Sequence, residues 1–315
     1  MITLFYLLGY LALIGCAITS FLKIRNYMKK TPMHARWELY PIPHEGAKAK
    51  HGGSYMEDTD WWKHEHKPNH LGDLGALLME VLFLEATFKH NRPLWYRTYP
   101  FHLGLYMLMG GAIILIFTAI LRMFGLDHET STLIWLIYGL IDIISFVGCL
   151  CLIGGGVGLI MRRVGDPGLR TFSTPEHFFD LGLFAFFGLT GFITWVTNPC
   201  FAELASDFVY NALTFNFESL GSGGFVLHMV IGFFLMLWIP ITFMSHILLK
   251  YFLYHDIRWE DVATSMSKKR QDLINAALKY KVTWAAPHMN PKGEDKTWVD
   301  VATSGYPAQE QKKDA

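Results

Sequence analysis

FVLHMVIGFFLMLWIPITFMSHILLKYF, residues 225–252, decides the fold. The stretch holds no acid and only one Lys, Lys250 near its end, yet it carries two histidines. A bilayer core is crossed by about 20 apolar residues in a helix, and this stretch is more than long enough. Working outward, four further runs meet the same requirement: residues 2–22, 101–121, 133–161 and 178–197. The composition agrees, with 52% hydrophobic and 15% aromatic residues against 17% charged, too apolar for an ordinary soluble domain. The expected fold is an all-α membrane protein, a bundle of five transmembrane helices.

Charge sets the expected orientation. Net charge is zero, but Lys and Arg crowd certain connections. Lys23, Arg25, Lys29 and Lys30 follow the first run, Arg162, Arg163 and Arg170 lie between the third and fourth, and Lys250, Lys268, Lys269 and Arg270 close the fifth. Only Arg122 lies between the second and third runs, and the link from the fourth to the fifth has none. The positive-inside rule then puts the N-terminus outside and the C-terminus in the cytoplasm. The first run lacks a basic n-region and a small-residue cleavage site, which reads as an uncleaved anchor. The expected organisation is a first transmembrane helix (1–22), a cytoplasmic loop with an interfacial amphipathic helix (23–100), a four-helix haem-binding region (101–253) and a cytoplasmic docking tail (254–315). In the loop, HLGDLGALLMEVLFLEATFKHN (70–91) has apolar residues at helical spacing but keeps Asp73, Glu80 and Glu85, as expected of a helix lying at an interface or against a partner.

Cys16, Cys149, Cys151 and Cys200 form no CxxC pair. A disulfide scaffold, a zinc site and an iron–sulfur cluster carried by this chain are therefore not expected, and any such cluster belongs to a partner. There is no Gly-rich phosphate loop and no nucleic-acid motif, and the lack of an internal repeat argues against a transporter.

Of the 14 histidines, His102, His177, His228 and His246 fall in or at the ends of the apolar runs. An ionisable group at membrane depth is costly and marks function by default, and neutral imidazole is a common axial ligand of haem iron. His228 and His246 are 18 residues apart. On one continuous helix that is five turns and about 27 Å of rise, so they share a face near opposite membrane surfaces. His102, at the start of the second run, falls at the depth of His246, and these two form the expected axial pair of one haem b. Interfacial histidines bonded to backbone carbonyls are the plainer alternative. The partner of His228 at a second haem stays open among His128, a thioether of Met107, Met109 or Met123, and a five-coordinate iron. His177 is expected to meet a propionate or a partner rather than to pair with His228.

Asp142, inside the third run, is a candidate for passing protons to or from a quinone, with Tyr138, Trp195 and Asn198 at similar depth. The alternative is a protonated side chain bonded to a neighbouring helix. Arg162 and Arg163 either pair with haem propionates or only mark the cytoplasmic boundary.

YPFHLGLY (99–106), RRVGDPGLRT (162–171) and the spaced histidines of the fifth run resemble the gamma subunit of respiratory nitrate reductase, a five-helix di-haem b quinol oxidase, over roughly residues 100–250. That family carries two ligand histidines on the second helix and two on the fifth. Carried over, His102, His228 and His246 fill three positions and the fourth falls at Ala112, which leaves the outer haem short of a ligand. RWELYPIPHE (36–45), GGSY (52–55), VTWAAPHM (282–289) and TWVDVATS (297–304) look more like the membrane cytochrome b subunits of the Tmc and Dsr redox complexes of sulfate-reducing bacteria, with Tmc the nearer. The resemblance implies a multi-pass protein of the bacterial inner membrane. It further implies electron relay among a menaquinone pool, a periplasmic multihaem cytochrome c and a cytoplasmic heterodisulfide-reductase-like iron–sulfur subunit, with membrane lipid as surroundings. A haem-poor anchor that only tethers a soluble redox complex is the alternative.

Overall fold

In the computed structural model, residues 2–30, 48, 57–64, 69–127, 131–253, 264–284, 286 and 292–303 are described. Those residues are helical almost throughout, and among them no β-strand forms; one isolated antiparallel bridge joins Lys281 to Thr297. Five helices are long and apolar enough to cross a membrane: α1 (Ile2–Lys30), α4 (Arg92–Met123), α5 (Thr132–Gly165), α7 (Pro175–Thr197) and α9 (Gly223–Ile241). Between and after them lie α2 (His70–Phe83), α3 (Glu85–His90), α6 (Pro167–Thr171), α8 (Phe201–Thr214), α10 (His246–Leu253), α11 (Lys268–Leu278) and α12 (Trp298–Thr303).

The boundaries depart from the apolar runs where local chemistry overrides hydropathy. α4 starts at Arg92 rather than at residue 101, because the Asn91 side chain accepts the Leu94 amide at 3.1 Å and Pro93 sits in the first turn. An N-cap followed by proline starts a helix whatever the polarity of what comes next. His102 is therefore about three turns inside its helix, not at its start. The stretch read as one interfacial helix over 70–91 is two, divided at Leu84 with φ 53°. A helix without a span-length run, α8, fills the link between the fourth and fifth spans.

The fifth run overturns an expectation. It is not continuous: α9 ends at Ile241, residues Phe243–Ser245 form a 3-10 turn, and α10 begins at His246. Pro240 lacks an amide hydrogen and clashes with the preceding turn, and Thr242 leaves the helix with ψ −179°. His228 and His246 thus lie on different helices, and the five-turn argument for a shared face no longer applies.

The chain divides into two compact units, residues 1–24 with 77–248 and residues 25–76 with 249–315. In the first, neighbours interlock through glycines. A Cβ on Gly155 of α5 would overlap the Phe101 backbone of α4, and one on Gly104 would stand 2.7 Å from the Gly148 carbonyl. Gly156 and Gly188 bring α5 and α7 together less tightly, with a Cβ there 3.1–3.2 Å from its neighbour. These pairs run antiparallel, as does α7 on α9, where Phe187 meets Gly232. α1 instead runs parallel to α9, with Gly9 against Phe233 and Gly15 against Leu237. Phe101, Leu152, Leu181, Phe184 and Leu235 form one of this unit's apolar clusters. In the second unit, the Lys281–Thr297 bridge is backed by a Lys281–Asp295 ion pair at 2.6 Å.

Candidate functional site

His102 and His246 meet. Their ring centres are 6.1 Å apart and their planes 62° apart. His102 Nδ1 lies 2.8 Å from the Thr98 carbonyl one turn back. With its proton on Nδ1 the ring donates there and keeps its coordinating lone pair on Nε2, the arrangement that orients metal-bound histidines. His246 Nδ1 lies 3.3 Å from the Phe243 carbonyl in the turn just before it, so both rings are steered by local backbone. Metal–imidazole bonds are about 2.0–2.1 Å and ring centres lie about 1.1 Å behind the ligating nitrogen, so two rings opposed across one metal have centres roughly 6.3 Å apart. The observed 6.1 Å between ring centres would admit one metal ion between the two imidazoles.

His228 is in a different setting. It is only 8% exposed, stacked on Phe187 of α7 with ring centres 4.3 Å apart, and its Nδ1 lies 3.1 Å from the Thr190 hydroxyl. A Cβ on Gly191 would stand 2.9 Å from both His228 Cε1 and Cys149 Sγ, so α7 closes directly on the ring. His228 lies level with Gly191 of α7 and Cys149 of α5, whereas His177 stands in the first turn of α7 and His246 opens α10. Met109 and Met123 are exposed, and Met107 packs on Gly148. His128 lies outside the described residues. Among the described residues no cluster of three or more His, Cys, Asp or Glu is arranged for a metal ion. The His228 ring is thus enclosed by Phe187, Thr190, Gly191 and Cys149.

His177 serves helix α7 itself. Its Nδ1 accepts the Thr174 amide at 3.0 Å in a capping box, and its ring packs on Phe243, with centres 4.9 Å apart. Arg163 donates to the Ser173 hydroxyl at 3.0 Å. Arg162 and Arg163 both occupy the last turn of α5, where cations complement the helix dipole.

Asp142 accepts the Ala202 amide at 3.1 Å, satisfying one of the unpaired donors at the start of α8. Nearby, Tyr138 donates to the Ser206 hydroxyl at 2.9 Å, and Arg122 reaches Ser206 at 3.1 Å and Asp207 at 2.8 Å. Trp195 packs on Phe146, while Asn198, Pro199, Cys200, Glu203, Leu204 and Asp207 line a shallow cavity of about 330 Å³. Only Asn198 of the residues grouped with Asp142 borders it.

Two groups were not singled out from the sequence. Asp180 is fully buried; its Oδ1 accepts the Trp238 indole N–H at 2.7 Å, while Oδ2 has no partner among the described residues. The signal was present, an acid within EHFFDLGLFAFF (176–187). Lys23, read as a topology charge, reaches across from α1 to the break after α9, donating to the Thr242 carbonyl at 2.7 Å and to Ser245 Oγ. Its place at the end of an apolar run gave no hint of that contact. Comparison with protein-family models, with curated proteins and with solved structures finds no match for this chain.

Proposed function

We propose that the chain is a multi-pass membrane cytochrome b subunit that relays electrons within a respiratory redox complex, with His102 and His246 as the axial ligands of one haem b. The observation that carries this reading is the 6.1 Å separation of two imidazoles from helices far apart in sequence. The five membrane-length helices supply the setting, and the basic residues of one bundle end support an orientation with the N-terminus outside. The resemblance to nitrate reductase gamma subunits, and to the Tmc and Dsr cytochromes, supports the wider assignment. On that reading the partners are a cytoplasmic heterodisulfide-reductase-like iron–sulfur subunit, a periplasmic multihaem cytochrome c and menaquinone in the bacterial inner membrane.

When bound, a haem supplies reversible one-electron chemistry. The chain's own residues do the rest. Thr98 and Phe243 carbonyls hold the two imidazoles by Nδ1, which fixes the ring orientation and raises the basicity of the ligating nitrogen. Phe101, packed on Phe184 with ring centres 5.5 Å apart, keeps the neighbouring core apolar, and low dielectric around a redox centre tunes its potential. Gly104 and Gly155 allow α4 and α5 to close behind His102.

The test is a reduced-minus-oxidised spectrum and a pyridine haemochrome count on the purified full chain. About one b-type haem per chain, lost in both His102→Ala and His246→Ala, is the expected result. A protein that stays colourless after haem reconstitution would leave a membrane anchor for a soluble complex.

A further inference from the structure

The break between α9 and α10 carries His246, and the residue that holds the break comes from the other end of the sequence. α1 descends parallel to α9, Gly9 against Phe233, Gly15 against Leu237, and then Lys23 against Thr242. At that level α9 has lost its regular hydrogen bonding. The amide missing at Pro240 and the extended backbone at Thr242 leave polar groups exposed to an apolar interior, where each must find a partner.

The partners form a closed set. Thr242 carbonyl oxygen accepts from Lys23 Nζ and from Ser245 Oγ, both at 2.7 Å, and at 3.5 Å from the Ser245 amide. Lys23 also donates to Ser245 Oγ. Thr242 Oγ1 accepts the Met244 amide at 3.4 Å and caps the 3-10 turn. Ser245, at 1% exposure, is as buried as the core residues Tyr6 and Phe225, so its hydroxyl has no solvent to turn to. The next residue is His246, whose Nδ1 is held by the Phe243 carbonyl of this same turn. Lys23 therefore acts on the turn that sets where the His246 ring stands relative to His102.

We propose that Lys23 is a positioning residue: its ammonium clamps the Thr242–Ser245 break and so fixes the approach of His246 to His102. This role rests on the axial-pair reading, but the clamp itself can be measured without haem. The experiment compares full-length wild type with Lys23→Met, Lys23→Arg and Ser245→Ala in one detergent. Amide exchange over residues 243–249 is followed by mass spectrometry, together with the low-spin haem resonance and the midpoint potential.

In Lys23→Met, exchange at 243–249 should rise at least tenfold while residues 225–238 stay as in wild type, and the low-spin signal should broaden or shift. Lys23→Arg, which can still donate to both oxygens, should restore both readouts. Ser245→Ala should move them the same way by less, and with Lys23→Arg it carries the test if the methionine variant does not fold. Unchanged exchange at 243–249 in Lys23→Met overturns the clamp. Faster exchange with an unaltered haem signal overturns the positioning role, and faster exchange in a chain whose wild type binds no haem overturns the axial pair instead.

Discussion

The two ends of the bundle are built on opposite plans. At one end α9 is broken, and two imidazoles bonded to nearby backbone carbonyls stand with ring centres 6.1 Å apart. At the other, α8 folds over α4 and α5, and the polar side chains are consumed in holding it there: Arg122 and Tyr138 on Ser206, Arg122 on Asp207, and Asp142 on the Ala202 amide. His228 follows the second plan, with Thr190 and Phe187 occupying its ring. A polar group at membrane depth is thus not by itself a site. What separates the two ends is whether a polar group is taken up in holding a neighbouring helix or stands beside a second imidazole.

The sharpest way to break this comparison is to remove each histidine in turn. His102→Ala and His246→Ala should each lower haem content more than tenfold, whereas His228→Ala should keep most of it and lose packing instead, as a lower melting temperature. Haem loss confined to His228→Ala would invert the assignment of the two ends.

The glycine interface comes next. Gly155→Leu forces a side chain into the Phe101 backbone, and overpacking of this kind costs about 3 kcal/mol. Because Phe101 precedes His102, haem occupancy should fall together with thermal stability. Gly154→Ala, whose Cβ would meet nothing within 4 Å, should do neither. Equal stability of the two variants would mean that α4 and α5 do not meet at this register.

These contrasts bear on what the sequence could reveal. The five spans were legible because bilayer-length apolarity is a property of the run itself. The meeting of His102 and His246 was legible as a match of depth, yet the argument from a continuous helix failed at a proline that stood in plain view, Pro240. α8, which is not a span, was not legible because its apolar face is a stripe, not a run. Which polar groups answer one another, Lys23 with Thr242 or Asp142 with Ala202, depends on helix register, and no local pattern encodes that.

Asp180 tests the contact between α7 and α9. Its Oδ1 is the acceptor for Trp238, and its Oδ2, in a fully buried site, has no partner among the described residues. Asp180→Leu leaves the indole N–H without an acceptor, a loss of about 1–3 kcal/mol, read as a drop in melting temperature. Asp180→Asn keeps an acceptor and supplies an amide in place of a buried acid, so it should be neutral or stabilising. A fall in stability for Asp180→Asn matching that of Asp180→Leu would show that Oδ2 has a partner of its own.

The smallest effect is expected at Asp142, and it decides whether the second end has any share in redox chemistry. As a cap for α8, its carboxylate contributes an acceptor and a negative charge beside the helix N-terminus. Asp142→Ala should cost about 1 kcal/mol, and Asp142→Asn, which keeps the oxygen and loses the charge, about 0.5 kcal/mol. Quinol-driven haem reduction in Asp142→Asn should stay within twofold of wild type, because a cap has no part in proton transfer. A tenfold loss of that rate with stability intact would make Asp142 a proton-handling group, and the second end would then be a working site rather than a seal.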